Sequence, residues 1–286
     1  MTGAPDALGP GDIVQLTDPK ARRHTLVLEP GRVFHTHKGA IAHDDLLGQP
    51  EGIVVTSTGG TAYVVLRSLL EDFVLAMPRG AAVIYPKESA RIVMAAGLRP
   101  GSRVIEAGAG SGALSCSLLT AVGPTGRVVS VERRPDFADV ARANVDRWFH
   151  STPDWWQLMV GDIREVDVDG AFDAMVLDML DPWECLDVAA ERVRPGGVLV
   201  AYVATTTQLS RTAEDLRATG QWTEPRAEES LVRTWHLEGL AVRPDHRMIG
   251  HTGFLLVCRR LAPGTVLPPR RTRPAKGAHP VDDTPS

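Results

Sequence analysis

The segment Val104-Ile105-Glu106-Ala107-Gly108-Ala109-Gly110-Ser111-Gly112 sets three glycines on alternate positions directly after an apolar run. Glycine is needed where a backbone must turn sharply and where a ligand must approach with no Cβ in its way. The spacing is G-x-G-x-G, whereas pyrophosphate-binding dehydrogenases use G-x-G-x-x-G, so a diphosphate on the next helix N-terminus is disfavoured. Glu106 stands just before the loop, where a carboxylate repels a phosphate and suits an ammonium or sulfonium group. Glu106, Gly108, Ala109, Gly110, Ser111 and Gly112 are therefore the first cofactor-binding candidates. Glu132 ends a second apolar run, Val128-Val129-Ser130-Val131-Glu132. A carboxylate there can accept hydrogen bonds from both ribose hydroxyls of an adenosine cofactor, or be a surface glutamate at a strand end. Phe137 could lie against the same nucleoside or fill a core position. Gly161-Asp162-Ile163 closes a third run, where an aspartate either contacts an adenine amino group or caps a turn.

Asp178-Met179-Leu180-Asp181-Pro182-Trp183 follows a fourth run, at the carboxyl edge where open α/β sheets place their ligands. Were the cofactor S-adenosylmethionine and the acceptor an adenine ring, a carboxylate here would have a clear use. Adenine N1 is the nucleophile and becomes part of a cation on methylation. A carboxylate hydrogen-bonded to the exocyclic N6 amino group can hold the ring, stabilise that charge and take a proton. The alternative is a cap for the helix after Pro182, a part that Asp181 fits better than Asp178.

The elements that must position these residues follow from hydrophobic period. Strand-like runs at 103–106, 127–132, 157–160, 172–178 and 197–204 alternate with helical stretches at about 112–122, 136–149, 183–193 and 208–219, the last stopping at Gly220. Such alternation predicts a doubly wound α/β sheet. Two late runs, 230–241 and 252–259, have no long helix between them and predict an antiparallel hairpin at the sheet edge, an ending typical of methyltransferases and not of dehydrogenases. Residues 1–75 read instead as short β segments (12–16, 25–28, 52–56, 62–66) punctuated by Asp-Pro, Glu-Pro-Gly and Thr-Gly-Gly. The expected organisation is a small N-terminal β domain over 1–75, a catalytic domain over 76–261, and a Pro/Arg-rich tail over 262–286, disordered by composition.

Composition narrows the function classes. Of 286 residues 43% are hydrophobic and 23% charged, with a net charge of −4, an ordinary globular balance that does not advertise a nucleic-acid binder. No run is apolar enough to span a membrane, the N-terminus lacks the pattern of a secretory signal, and three scattered cysteines read as reduced thiols, so a cytoplasmic location is expected. Residues 76–103 hold Arg79, Lys87, Arg91, Arg99 and Arg103 against Glu88 alone: a solvated face, or a cationic patch beside the glycine loop. His35, His37 and His43 have no partners at zinc spacing, so no metal is expected. His251 has no assigned role.

The chain resembles bacterial tRNA (adenine(58)-N(1))-methyltransferases of the actinobacterial kind, from about Gly11 to Leu261. The likeness rests on Phe34-His35-Thr36-His37-Lys38-Gly39, on Met77-Pro78-Arg79-Gly80 followed by Ile84-Tyr85-Pro86-Lys87, and on the glycine motif. Val176-Leu177-Asp178-Met179 with Pro182-Trp183, and Gly250-His251-Thr252-Gly253-Phe254-Leu255, complete it. The glycine motif is widely shared; the other segments are more specific. The resemblance implies a class I (Rossmann-like) methyltransferase sheet with a small N-terminal β domain, assembled as a homotetramer. It implies methyl transfer from S-adenosylmethionine to N1 of adenosine 58 in the tRNA T-loop. By that match the catalytic aspartate is Asp178, which also borders the cofactor, the tyrosine near the target base is Tyr85, and Glu132 holds the ribose. Arg79, Tyr85, Lys87 and Arg91 become tRNA-contact candidates, since a basic mouth can neutralise phosphates and an aromatic ring can stack an extracted base.

Three rivals remain at this level. A methyltransferase of the same fold acting on a protein or small molecule is disfavoured by Tyr85 and the Asp178…Trp183 edge, which suit a planar purine. A catalytically silent RNA-binding subunit is disfavoured because Gly108, Gly110, Gly112, Glu132 and Asp178 are all present. An NAD dehydrogenase is disfavoured by the glycine spacing.

Overall fold

The computed structural model describes residues 7–80 and 82–268; from residue 269 onward the expected tail lies outside them. Four short strands, β1 (Ile13–Thr17), β2 (Arg23–Val27), β5 (Ile53–Thr56) and β6 (Ala62–Arg67), form an antiparallel sheet in the order β2-β1-β6-β5. A separate hairpin of β3 (Val33–Thr36) and β4 (Gly39–Ala42) was not among the expected strands. β3 carries His35 and stops at Thr36, so His37 falls in the turn. Leu8, Val14, Leu16, Leu28, Ile41, Leu46, Tyr63 and Val65 close a small core of their own.

Two helices before the glycine motif, α1 (Leu70–Ala76) and α2 (Pro86–Ala95), were not legible as helices in the sequence. The expected domain boundary, 75/76, falls inside α1. Its Phe73 stacks on Trp148 at 5.2 Å and belongs to the core of the larger unit.

The larger unit alternates as its period requires: β7 (Arg103–Ala107), α3 (Ala113–Val122), β8 (Arg127–Glu132), α4 (Pro135–Phe149), β9 (Trp156–Val160), β10 (Phe172–Asp178), α5 (Leu186–Arg192), β11 (Val193–Val203) and α6 (Thr206–Thr219). Beyond them come β12 (Arg226–Glu229), β13 (Trp235–Glu238), β14 (Ala241–Pro244) and β15 (Phe254–Arg259). Seven strands pair in the order β12-β15-β11-β10-β7-β8-β9. The five from β11 to β9 are parallel, and β15 runs antiparallel to β11. Apolar side chains alternate across the sheet. Val104, Val128 and Val176 face one layer with α2, α3 and α4, while Ile105, Val129 and Leu177 face the other with α5 and α6, each fully buried branched side chain contributing about 1.5–3 kcal/mol.

The expected edge hairpin of 230–241 with 252–259 is differently built. The strand beside β15 is β12 at 226–229, and β13 pairs only with β14 in a two-stranded ribbon. Leu237, Leu240 and Val242 on that ribbon are exposed. Two strands alone have no second layer on which to bury such residues.

Candidate active site

The carboxyl ends of β7, β8 and β10 converge on the glycine loop. Gly108 has φ +95° and no room for a side chain, since a Cβ built there would lie 2.0 Å from the Asp178 carbonyl oxygen. Gly112 has φ +80°, begins α3, and would bring a Cβ to 3.0 Å from the Ala141 carbonyl. Gly110 has φ +54°, yet a Cβ on it meets nothing within 4 Å. Two of the glycines thus admit neighbouring backbone, and the middle one faces open space. Ala109 and Ser111 complete the loop as buried residues.

Glu132, buried at the end of β8, accepts hydrogen bonds from the Gly110 N–H (2.8 Å) and the Arg134 N–H (2.9 Å). One backbone donor orients each carboxylate oxygen and leaves further lone pairs for a ligand. Glu106 is placed deeper than the sequence reading had it. Its Oε2 accepts from Ser115 and Ser130, while Oε1 is buried without a partner among the described residues. Burial, with added repulsion from Asp178 and Glu132 outweighing the serine hydrogen bonds, pushes its carboxyl up to about 7. Asp178 is half-buried, and its carboxylate receives no hydrogen bond among the described residues. Burial, and secondarily the charge of Glu132, pushes it up to about 7 as well.

The other expected residues divide. Asp162 sits in the turn after β9 with its carboxylate taken by Arg164 and Arg133 at 2.7–3.0 Å, and Arg164 holds it well below the usual carboxylate range. Phe137 packs within the protein, with the Arg134 guanidinium 3.7 Å from its ring centroid and Gly80 against its edge. Tyr85 is the half-buried residue immediately before α2. Arg79 is exposed and donates to the Val74 and Leu75 carbonyls at the end of α1. Arg91 pairs with Glu228 through two nitrogens, and Lys87 is turned inward onto Glu88, Ser230 and Thr252. The basic stretch therefore presents less free positive charge than its composition implies.

Two residues went unread in the sequence. Tyr202 on β11 pairs in register with Asp178, and its hydroxyl donates to the Thr252 carbonyl at 2.8 Å. Asn144 on α4 is buried and donates to the carbonyls of Ser111 (2.9 Å) and Pro78 (2.8 Å), tying the glycine loop to the segment that leads to Tyr85. Nothing local marks either one, because each matters only through a partner far away in sequence. His35 and His43 line a separate cleft of about 620 Å³ between the N-terminal sheet and α1, with Arg32 and Arg147.

The donor set fits a cationic adenosine cofactor. An anchored carboxylate on the second strand and two further acids pushed towards neutrality all gain from a nearby positive charge, and the open glycine leaves space beside them. S-adenosylmethionine carries both a sulfonium and an ammonium group.

Comparison with known proteins agrees. The family described as TrmI-like N-terminal matches residues 7–55, and the one described as tRNA methyltransferase complex GCD14 subunit matches 61–243. A tRNA (adenine(58)-N(1))-methyltransferase TrmI of Thermus thermophilus is 36% identical over 257 residues, covering 88% of this chain and 97% of its own. A Methanocaldococcus jannaschii TrmI, named for both adenine 57 and adenine 58, is 31% identical over 85% of this chain and 93% of its own. Among solved structures, a Thermotoga maritima protein described as an S-adenosylmethionine-dependent O-methyltransferase superposes with a TM-score of 0.85 at 30% identity, covering 94% of this chain and 97% of its own. TrmI of Aquifex aeolicus superposes at 0.79 with 25% identity, covering 90% and 99%. With two family matches in tandem and identity above 30% along nearly the whole length of its relatives, this chain belongs to the TrmI/GCD14 family of S-adenosylmethionine-dependent tRNA methyltransferases.

Proposed function

We propose that this enzyme methylates N1 of adenosine 58 in the tRNA T-loop and that Asp178 is the residue facing the reacting ring. The observation that carries the reading is the carboxylate of Asp178, desolvated, without a hydrogen-bond donor among the described residues, and backed by the glycine loop at the closest backbone approach in the site. S-adenosylmethionine, when bound, supplies the electrophilic methyl group. Glu132 takes the ribose hydroxyls, its orientation preset by two backbone donors. Gly108, Ala109, Gly110, Ser111 and Gly112 line the rest of the cofactor's bed, with Glu106 buried beneath it, while Asp162 and Phe137 border it. Ionised Asp178 accepts the adenine N6–H, holds the ring and stabilises the charge that N1 acquires. A carboxyl near 7 suits this task, being ionised often enough at neutrality and basic enough to take a proton. Tyr85 and Tyr202 offer aromatic surface for the extracted base. Arg79, exposed and held through its Nη2 on the Val74 and Leu75 carbonyls, keeps its Nη1 and Nε donors for a phosphate; Arg91 is less suited because Glu228 already neutralises it.

We read the assembly as a homotetramer in the cytoplasm. Support for association comes from the apolar side chains of Leu231, Val232, Trp235, Leu237, Leu240 and Val242, exposed in the single chain on a stretch of about a dozen residues. No helix among the described residues is long and apolar enough to cross a membrane. The deciding experiment is methylation of an unmodified tRNA transcript, read by reverse transcription, since N1 methylation blocks the Watson–Crick edge. A cofactor-dependent stop at position 58 is expected. Cofactor binding by calorimetry with no stop would sink the tRNA reading and favour another acceptor, as the name of the Thermotoga relative would have it.

A further inference from the structure

Lys87 follows Tyr85 by two residues and would serve as a phosphate contact if its ammonium were free. It is not. An ammonium has three donors, and here all three are spent inside the protein: on Glu88, on the Ser230 carbonyl at 2.7 Å and on Thr252 Oγ1 at 2.6 Å. Thr252 in turn donates its hydroxyl to Glu88 Oε1. The side chains are 13% (Lys87) and 1% (Glu88) exposed. A buried ion pair is poor value for stability, since desolvation offsets most of the attraction and apolar residues of similar volume do as well or better. What it does supply is geometry, and this pair ties the start of α2 to two segments 143 and 165 residues further along the chain.

The segment it grips is the one that sets Tyr202. The Thr252 carbonyl accepts the Tyr202 hydroxyl, and Gly253 lies against the phenol ring so closely that a Cβ there would come within 2.4 Å of it. On the other side of Thr252, His251 bridges the Glu229 carboxylate (2.6 Å) and the Ala204 carbonyl (2.8 Å). Tyr202 stands beside Asp178 in the sheet, and Tyr85 caps the helix that carries Lys87. We propose that Lys87 is a positioning residue for methyl transfer, holding the 250–253 segment so that the Tyr202 ring and hydroxyl keep a fixed place between Tyr85 and Asp178. The inference rests on the adenosine-methylating reading above and replaces the phosphate contact expected of Lys87.

The test is steady-state kinetics on tRNA transcript with Lys87→Met, Tyr202→Phe and the double variant, each checked by thermal melting. Lys87→Met strands a buried carboxylate, so the charge-neutral pair Lys87→Met with Glu88→Gln is made alongside it. Expected for the folded variants is a fall in kcat of about tenfold or more, as misplacement of site groups produces, with KM for tRNA and the salt dependence of tRNA binding unchanged. Lys87→Met combined with Tyr202→Phe should fall no further than the weaker single variant. Three outcomes overturn the proposal: unchanged kcat, a raised KM with the salt slope reduced by about one phosphate contact, or losses that multiply in the double variant. A wild-type enzyme that leaves no stop at position 58 refutes the underlying reading instead, and does so before any variant is made.

Discussion

Two carboxylates end neighbouring parts of one sheet edge, and they are furnished in opposite ways. Glu132, on the glycine-loop side, is buried with a backbone N–H on each oxygen. Asp178, on the side we assign to the acceptor, has no donor among the described residues and is pushed up to about 7. The first arrangement is finished before any ligand arrives and suits a group that only binds. The second leaves a carboxyl whose charge can change during turnover. The loop between them repeats the contrast in glycines: Gly108 exists for the backbone of Asp178, Gly110 for open space.

The largest expected effect tests the acceptor side. Asp178→Asn should lower turnover by about 10²–10⁴ while cofactor affinity measured by calorimetry falls far less, by no more than the loss of one nearby charge; near-normal turnover would remove Asp178 from the chemistry. Next, Gly108→Ala drives a Cβ into the Asp178 carbonyl and should cost about 3 kcal/mol or more, whereas Gly110→Ala carries only the left-handed backbone penalty of about 1–2 kcal/mol and shows chiefly as weaker cofactor binding. Equal denaturation midpoints for the two would erase the distinction between them. Glu132→Ala should weaken cofactor binding about 10- to 100-fold, the worth of hydrogen bonds to a charged group, and leave the tRNA KM alone.

Two smaller effects follow from protonation. The folded-state pKa of Asp178 lies above its ordinary 3.8, at about 7, so the folded protein holds this proton more tightly than the unfolded chain does. That contribution to stability is complete below about pH 4 and is lost as pH rises through 7. Asp178→Asn should therefore melt above wild type at pH 8 and level with it near pH 4; a constant gap at both would show the burial term to be unimportant. S-adenosylmethionine should also bind more tightly as pH rises through about 7, when Glu106 and Asp178 ionise, while S-adenosylhomocysteine, lacking the sulfonium charge, should show a shallower dependence. Identical slopes would argue that the acids do not face the sulfur.

Much of this molecule was legible without coordinates. Strand and helix periods at 103–178 translate into the observed elements within a residue or two, and Gly220 ends α6 with φ +62° as expected. Those signals are local: a buried parallel strand needs a continuous apolar run, and a helix stop needs a residue that tolerates left-handed backbone. The readings that moved were those depending on distant partners. Helices α1 and α2 are short and half covered by other elements, so their periodicity is thin. The run at 230–241 has strand-like composition, but which neighbour a strand finds is settled by what else competes for the sheet edge, and β12 holds that place.

The residues Glu132 and Asp178 were readable because their positions at strand ends are a consequence of chain order in this kind of sheet. Tertiary structure alone decided how each is surrounded. It set Tyr202 beside Asp178 through the β10–β11 register, buried Glu106 between two serines, and turned Lys87 from an apparent surface cation into the knot of a buried network. The physical reason is one of range. Backbone geometry and apolar period are dictated by near neighbours along the chain. Desolvation and hydrogen bonding are dictated by whatever the completed fold brings alongside, and in this enzyme those partners lie up to 165 residues away.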